Sequence, residues 1–266
     1  MGKVRANRTP KADQPVLAEP IHILSDLHLG HPSCRIENIG DLEADLAGAS
    51  TAVFNGDTYE ERIPEIQADS DRSLAELKTL CADLGVEPIF LTGNHDPEIS
   101  DLHYLELCGG NVFVTHGDLL FPKVTPWSRE IQEITKKLDE VHAAFGPELD
   151  HDLEIAIDRL IKTRAEIGAL PLVSRRRGLV GFAGAVLREM FPPTRIIEIL
   201  GIWNSTPRLA RELLRKYRPE GKTIVIGHTH RGHDSTSPQG VRVINTGTFA
   251  AGFGRRVVRI EDGKVS

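Results

Sequence analysis

Cysteine is scarce in this chain: Cys34, Cys81 and Cys108 are the only three in 266 residues, and no two are spaced as Cys-x-x-Cys. That excludes a disulfide framework and a zinc ribbon, and it fits a reducing cytoplasm. No run of about 18 apolar residues occurs, so nothing reads as membrane-spanning. There is no basic excess either. Lys and Arg number 32 against 38 Asp and Glu, and the resulting net charge of −6 has the wrong sign for general nucleic-acid binding. The first twenty residues carry Lys, Arg, Pro and Ala without an apolar core, so they do not read as a secretory signal. Ala6 stands where a myristoylation motif wants Ser or Thr. Residues 1–19 are expected to be a loose tail.

What is present is ordinary globular composition, 40% hydrophobic and 26% charged, in a chain long enough to bury a substantial core. Short apolar runs predict strands at Ile21 to Ser25, Thr51 to Phe54, Val86 to Leu91, Val112 to Thr115, Thr223 to Ile226, Val241 to Asn245 and Val257 to Ile260. Helical periodicity occupies 36–47, with Ile36, Ile39, Leu42 and Leu46 on one side, and 65–84, with Leu74, Leu77, Leu80 and Leu84. Strands alternating with helices predict an α/β sheet layered with helices.

Five short motifs follow directly on these strands: Asp26-Leu27-His28, Gly56-Asp57, Gly93-Asn94-His95-Asp96, His116-Gly117-Asp118 and Gly227-His228-Thr229-His230. A lone His or Asp at a strand end is ordinarily a hydrogen-bonded loop residue. Five such motifs in order, each behind a strand, supply enough oxygen and imidazole donors for two divalent cations. Ligands bind at that end of open α/β sheets, where loops from distant strands converge. Asp26 and His28, read as alternate residues of an extended segment, would point the same way, and His228 and His230 repeat that spacing. Asp57 is the expected bridge, because a carboxylate can give one oxygen to each of two cations. No Ser or Cys nucleophile motif is present.

In these motifs the chain resembles the calcineurin-like metallophosphoesterase superfamily, over about residues 21–121 and 222–260. The resemblance implies a four-layer α/β/β/α sandwich of two sheets flanked by helices, with two divalent cations, Mn²⁺ first and Fe or Zn²⁺ as alternatives. It implies a metal-dependent phosphoesterase acting on phosphate mono- or diesters by means of a hydroxide bridging the metals. Carried over, Asp26, His28 and His230 would hold the first metal and Asn94, His116 and His228 the second, with Asp57 bridging. His95 would face the phosphate ester, stabilise its developing charge and protonate the departing oxygen. An acidic partner for His95 is implied, and Asp96 and Glu60 are the candidates. Within the superfamily, Asp26-Leu27-His28-Leu29-Gly30, the segment Asn55 to Glu60 and Thr115 to Asp118 look most like UDP-2,3-diacylglucosamine pyrophosphatases. That subgroup carries Arg where this chain has His95. A nuclease or cyclic-nucleotide phosphodiesterase would use the same ligands, and a non-catalytic scaffold would typically have lost some of them.

Residues 122–222 carry no ligand motif and read as a helical insertion. Ile131, Ile134, Leu138, Val141 and Phe145 form one stripe, and Leu153, Ile157, Leu160, Ile161 and Ile167 another. Such an insertion is either a cap over the site or a helix layer completing the core. Leu170 to Phe191 joins Arg175-Arg176-Arg177 to an apolar stretch, which suits peripheral contact with an anionic membrane or an acyl chain, or a cap helix with a solvated end. Trp127 and Trp203 would line a pocket or simply pack.

Overall fold

Two five-stranded mixed sheets lie at the centre of the computed structural model, which describes residues 14–125, 135–146, 151–168, 194–250 and 252–266. The first sheet comprises β1 (Ile21–Leu24), β2 (Thr51–Asn55), β3 (Glu87–Leu91), β9 (Val258–Glu261) and β10 (Lys264–Val265), in the order β10-β9-β1-β2-β3. The second comprises β4 (Tyr104–Leu107), β5 (Val112–Thr115), β6 (Thr223–Ile226), β7 (His233–Thr236) and β8 (Arg242–Asn245), in the order β4-β5-β6-β8-β7. The ligand motifs follow strands that run parallel within each sheet: β1, β2 and β3 in the first, β5 and β6 in the second.

The period of two along each strand sorts side chains between two faces. Ile21, Ile23, Val53 and Leu91 of the first sheet meet Leu105, Leu107, Val112, Val114, Val225 and Ile244 of the second in one buried cluster. The sheets therefore pack face to face. The alternate residues Leu24, Ala52 and Phe54 point the other way, onto α2 (Gln67–Asp83), which contributes Leu77 and Cys81. On the far side Phe113, Ile224, Ile226 and Val243 pack against α3 (Thr135–Ala143), α4 (Leu153–Gly168) and α5 (Thr194–Tyr217) through Leu138, Leu160, Ala210 and Leu214. The result is the four-layer α/β/β/α sandwich implied by the resemblance. Each fully buried aliphatic side chain in it contributes about 1.5–3 kcal/mol.

Some local expectations differ. The region read as a helix over 36–47 is only a 3-10 turn, Ile39–Leu42, followed by the four-residue α1, Glu43–Leu46. Asn38 caps the turn and Gly48, at φ +83°, follows it, so the apolar stripe serves two short turns instead of one helix. β4 and β7 are edge strands without a distinct apolar run, which hid them from the sequence. The described helices of the insertion, α3 to α5, form the outer layer of the second sheet. The stretch carrying Arg175 to Arg177, residues 1–13 and Trp127 lie outside the described residues. Residues 14–19, expected to belong to a loose tail, are instead docked: Gln14 Nε2 donates to Tyr104 O at 3.3 Å, Ala18 O accepts from Thr51 Oγ1 at 2.8 Å, and Leu17 packs against the cluster between the sheets. No helix among the described residues is long and apolar enough to cross a membrane.

Candidate metal centre

The loops after the parallel strands are laced together by their backbones. Asp26 N–H donates to Gly56 O at 3.1 Å, His28 N–H to Asp57 O at 3.0 Å, and Gly227 N–H to His116 O at 2.7 Å, the last joining the β5 and β6 loops. Glu61 N–H donates to His95 O at 3.1 Å. Close approach is possible because two positions lack a side chain. A Cβ on Gly56 (φ +79°) would lie 2.5 Å from His116 Nδ1, and one on Gly93 would collide with the Asp57 carboxylate and lie 2.7 Å from Asp96 Oδ1.

The donors do not converge by strand alternation. β1 stops at Leu24, and Asp26 and His28 adopt left-handed backbone angles (φ +54° and +52°) in place of the extended geometry expected. His228 and His230 do the same (φ +68° and +59°), as does Asp57 (φ +51°). Five of the eight described non-glycine residues with positive φ are thus candidate ligands. That conformation costs of order 1–3 kcal/mol per residue and persists only where surroundings impose it.

Three donor groups result among the described residues: two that share Asp57, and a third, at the rim, of His28, Glu60 and His95. Asp26, His28, Asp57 and His230 bring donor atoms within 4.8 Å of one another, and so do Asp57, His116 and His228. Asn94 Oδ1 joins the second group, 3.3 Å from His116 Nε2. Asp57 belongs to both, and it does so through one oxygen. Its Oδ2 stands 4.0 Å from His28 Nε2, 3.3 Å from His116 Nε2 and 4.0 Å from His95 Nε2. The other oxygen, Oδ1, accepts the His95 N–H at 2.9 Å, so the carboxylate is aimed differently from the one-oxygen-per-cation bridge expected.

The outer nitrogens of three of the candidate-ligand imidazoles are already engaged. His28 Nδ1 meets Glu60 Oε1 at 2.9 Å, His116 Nδ1 meets Asn55 O at 3.0 Å, and His228 Nε2 meets Val124 O at 2.9 Å. These partners hold hydrogens on the outer nitrogens and turn the inner ones, His28 Nε2, His116 Nε2 and His228 Nδ1, toward the carboxylates. Sequence reading could not find Asn55 and Val124 in this role, because a backbone carbonyl leaves no residue signature.

The donor set fits divalent cations. Asp26 and Asp57 are buried, and among the described residues their ion-pair partners within 4.0 Å are all imidazoles. Buried carboxylates need positive charge. Although burial disfavours its cation, His116 is raised to about 10 by the Asp57 carboxylate, whereas burial and the neighbouring His116 push His228 down to about 4. Protons and metal ions compete for such a site. Mixed imidazole, carboxylate and amide oxygen donors suit Mn, Fe or Zn.

His95 lies at the open rim with 37% of its side chain exposed, and its Nδ1 is held by Glu60 Oε2 at 2.8 Å. Desolvation opposes its charge, but Glu60 and Asp57 outweigh that and raise it to about 9. Of the two acids expected to partner His95, Glu60 makes the contact. Asp96 does not, and it is not catalytically placed: fully buried, it accepts the N–H groups of Asp57, Thr58 and Gly93 at 2.9, 2.7 and 2.8 Å. Burial and the Asp57 charge raise it to about 7. Glu60 does more than expected, since its two oxygens hold a candidate ligand, His28, and the rim residue His95 together.

Farther out, the buried Arg164 of α4 reaches both loops, donating to Asp118 Oδ2 through Nε at 2.8 Å and to Thr92 Oγ1 through Nη1 at 2.8 Å. Trp203 of α5 donates its indole N–H to Thr229 O at 2.9 Å.

No protein-family model matches the chain, and no curated protein does. Among solved structures it is similar to a predicted phosphoesterase from Streptococcus pneumoniae, at 16% identity and TM-score 0.35, over 93% of this chain and 86% of that one. It is also similar to a dimetal phosphatase from Danio rerio, at 12% identity and TM-score 0.44, over 92% of each chain. A third is Vps29 complexed with Zn²⁺ from Entamoeba histolytica, at 12% identity and TM-score 0.37, over 92% and 95%. Likenesses with TM-scores below 0.5 carry nothing about chemistry, which stands on the side chains described above.

Proposed function

We propose that this protein is a phosphoesterase that hydrolyses phosphate mono- or diesters at a centre of two divalent cations, Mn²⁺ first among them. The observation that carries the reading is Asp57 Oδ2, placed between His28 Nε2 of one ligand group, His116 Nε2 of the other, and the rim residue His95. Asp26, His28, Asp57 and His230 would hold one cation, and Asp57, Asn94, His116 and His228 the other. Bound there, the cations would supply Lewis acidity toward phosphoryl oxygens and bring water near its point of deprotonation at neutral pH.

The chain's own contribution centres on His95. Glu60 holds its Nδ1, which leaves Nε2 at the rim, 4.0 Å from Asp57 Oδ2. From there Nε2–H would donate to the phosphate as charge develops; an oxygen from water forms the new bond to phosphorus and releases its proton to solvent, while the ester P–O bond breaks and the departing oxygen takes the Nε2 proton. Asp57 Oδ1 fixes the His95 backbone, so proton donor and bridging carboxylate move as one unit.

A finer reading, hydrolysis of the pyrophosphate of a UDP-2,3-diacylglucosamine-type substrate, is supported by the Asp26 to Gly30 and Thr115 to Asp118 motifs and opposed by His95 in place of arginine. One experiment tests both: hydrolysis of p-nitrophenyl phosphate, bis-p-nitrophenyl phosphate, a 2′,3′-cyclic nucleotide and UDP-diacylglucosamine, with Mn²⁺ added and then chelated. Turnover that chelation abolishes is the expected result, and preference for the lipid sugar would select the finer reading. No turnover of any compound by protein verified to hold two metal equivalents would overturn the enzymatic reading.

A further inference from the structure

Beside His230 the rim carries a group of flat side chains that the metal centre does not use. Phe253 is 42% exposed, one of few large apolar side chains so open among the described residues. Its ring lies 6.2 Å from that of His230 and 6.3 Å from that of Trp203, nearly perpendicular to the latter at 82°. Trp203 is fixed by its N–H bond to Thr229 O, within the same loop that carries His228 and His230. The guanidinium of the exposed Arg231 lies 5.4 Å from the Trp203 ring centroid. Two neighbouring arginines are neutralised, Arg255 by Asp45 and Arg256 by Asp234, whereas no carboxylate among the described residues pairs with Arg231.

Exposing a phenyl ring has a cost in water, and an exposed guanidinium beside an aromatic ring can itself accept a planar group. The combination suits a planar aromatic ring, which stacks on Phe and on guanidinium alike. An acyl chain would gain nothing from the guanidinium. Phe253 thus lies beside His230, a candidate ligand of the metal centre.

We propose that Phe253 and Arg231, positioned by Trp203, form a base-stacking subsite that makes nucleoside phosphate esters the preferred substrate class. This inference rests on the phosphoesterase reading above and adds to it the identity of the organic group. The net charge of −6 favours single nucleotides over a polynucleotide, whose backbone needs a basic track.

The test separates binding from turnover. Affinities of the Mn²⁺-loaded protein are measured by calorimetry for two phosphonates in which CH₂ replaces the bridging ester oxygen, one the analogue of adenosine 5′-monophosphate and the other of ribose 5-phosphate. They differ only in the base. A stacked base is expected to tighten binding about tenfold or more. That ratio should fall toward one in both Phe253→Ala and Arg231→Ala, and Trp203→Phe should reduce it by loosening the platform. Equal affinity for the two phosphonates, binding of neither, or a ratio unchanged in Phe253→Ala and Arg231→Ala would each overturn the subsite. Metal-dependent hydrolysis of small esters persisting beside a ratio of one would sink the subsite alone. No hydrolysis of any ester by the wild-type protein holding two metal equivalents would instead sink the phosphoesterase reading.

Discussion

Replacing Glu60 by glutamine tests the link between ligand and proton donor with almost no change in volume. The carboxylate is buried and accepts from His28 Nδ1 at 2.9 Å and from His95 Nδ1 at 2.8 Å. An amide keeps one acceptor oxygen and presents an NH₂ in place of the other. One imidazole must then face a donor with a donor, or move its hydrogen to the opposite nitrogen. If the NH₂ faces His28, its inward Nε2 becomes an N–H and is lost as a ligand. If it faces His95, that ring can no longer hold both protons and fails as an acid. A buried unpaired donor costs about 1–3 kcal/mol, and a tenfold change corresponds to about 1.36 kcal/mol. The expected loss is therefore about 10- to 100-fold, in Mn²⁺ affinity by the first route or in kcat at saturating Mn²⁺ by the second. Metal titration and steady-state rates on the preferred ester read the two separately, with circular dichroism confirming the fold. A folded Glu60→Gln protein within twofold of wild type in both quantities would refute the coupling.

Asp57→Asn removes the charge shared by both ligand groups, and metal-dependent turnover is expected to fall by more than a hundredfold; a wild-type rate would exclude the bridging role. His95→Ala should cut kcat by about 10²–10⁴-fold while elemental analysis still finds two metals, since general acid catalysis is worth that much; loss of metal would make His95 a support for the ligands instead. Arg164→Ala strands the fully buried Asp118, whose Oδ1 already lacks a partner. About 3–5 kcal/mol of stability is expected to be lost in urea unfolding and partly restored by adding Asp118→Asn; a loss below about 1 kcal/mol would show the pair is not buried in solution. His103, hydrogen-bonded to Thr92 Oγ1 at 2.7 Å, is lowered to about 4 by burial and then by Arg164. The unfolded chain takes up its proton near pH 6.5 and the folded one only near 4, so stability drops as pH falls through that window. In metal-free protein His103→Gln should shrink the loss between about pH 7 and 5, and an unchanged loss would refute the assignment.

How much of this was legible before folding depends on whether a contact is made by a side chain's identity or by its path. Strand runs such as Ile21 to Leu24 and Val112 to Thr115 are buried on both faces, so their apolar continuity announced them. β4 and β7 interrupt or lack an apolar run, with Glu106 between Leu105 and Leu107 in the one and His, Asp, Ser and Thr in the other, and they left no such mark. The five ligand motifs were legible because donor chemistry restricts residue type, whereas the close approach of His116 to Gly56 and of Asp57 to Gly93 became visible only in the structure. The route by which the donors meet was not legible either. Extended alternation was the simplest way to align Asp26 with His28 and His228 with His230, yet all four residues are left-handed. Asp and His are enriched among non-glycine residues at positive φ, but that preference is too weak to say which of them adopt it, and here neighbouring bonds decide. Those bonds run between segments far apart in sequence, such as His228 N–H to Asp26 Oδ1 at 3.1 Å. Asp96 and Glu60 were indistinguishable for the same reason. Both are acids near His95, and only the closure of the loops after β2 and β3 turns one to backbone amides and the other to two imidazoles. The chemistry of the centre is thus local and written in residue types, whereas its geometry is a property of the assembled sheet edges.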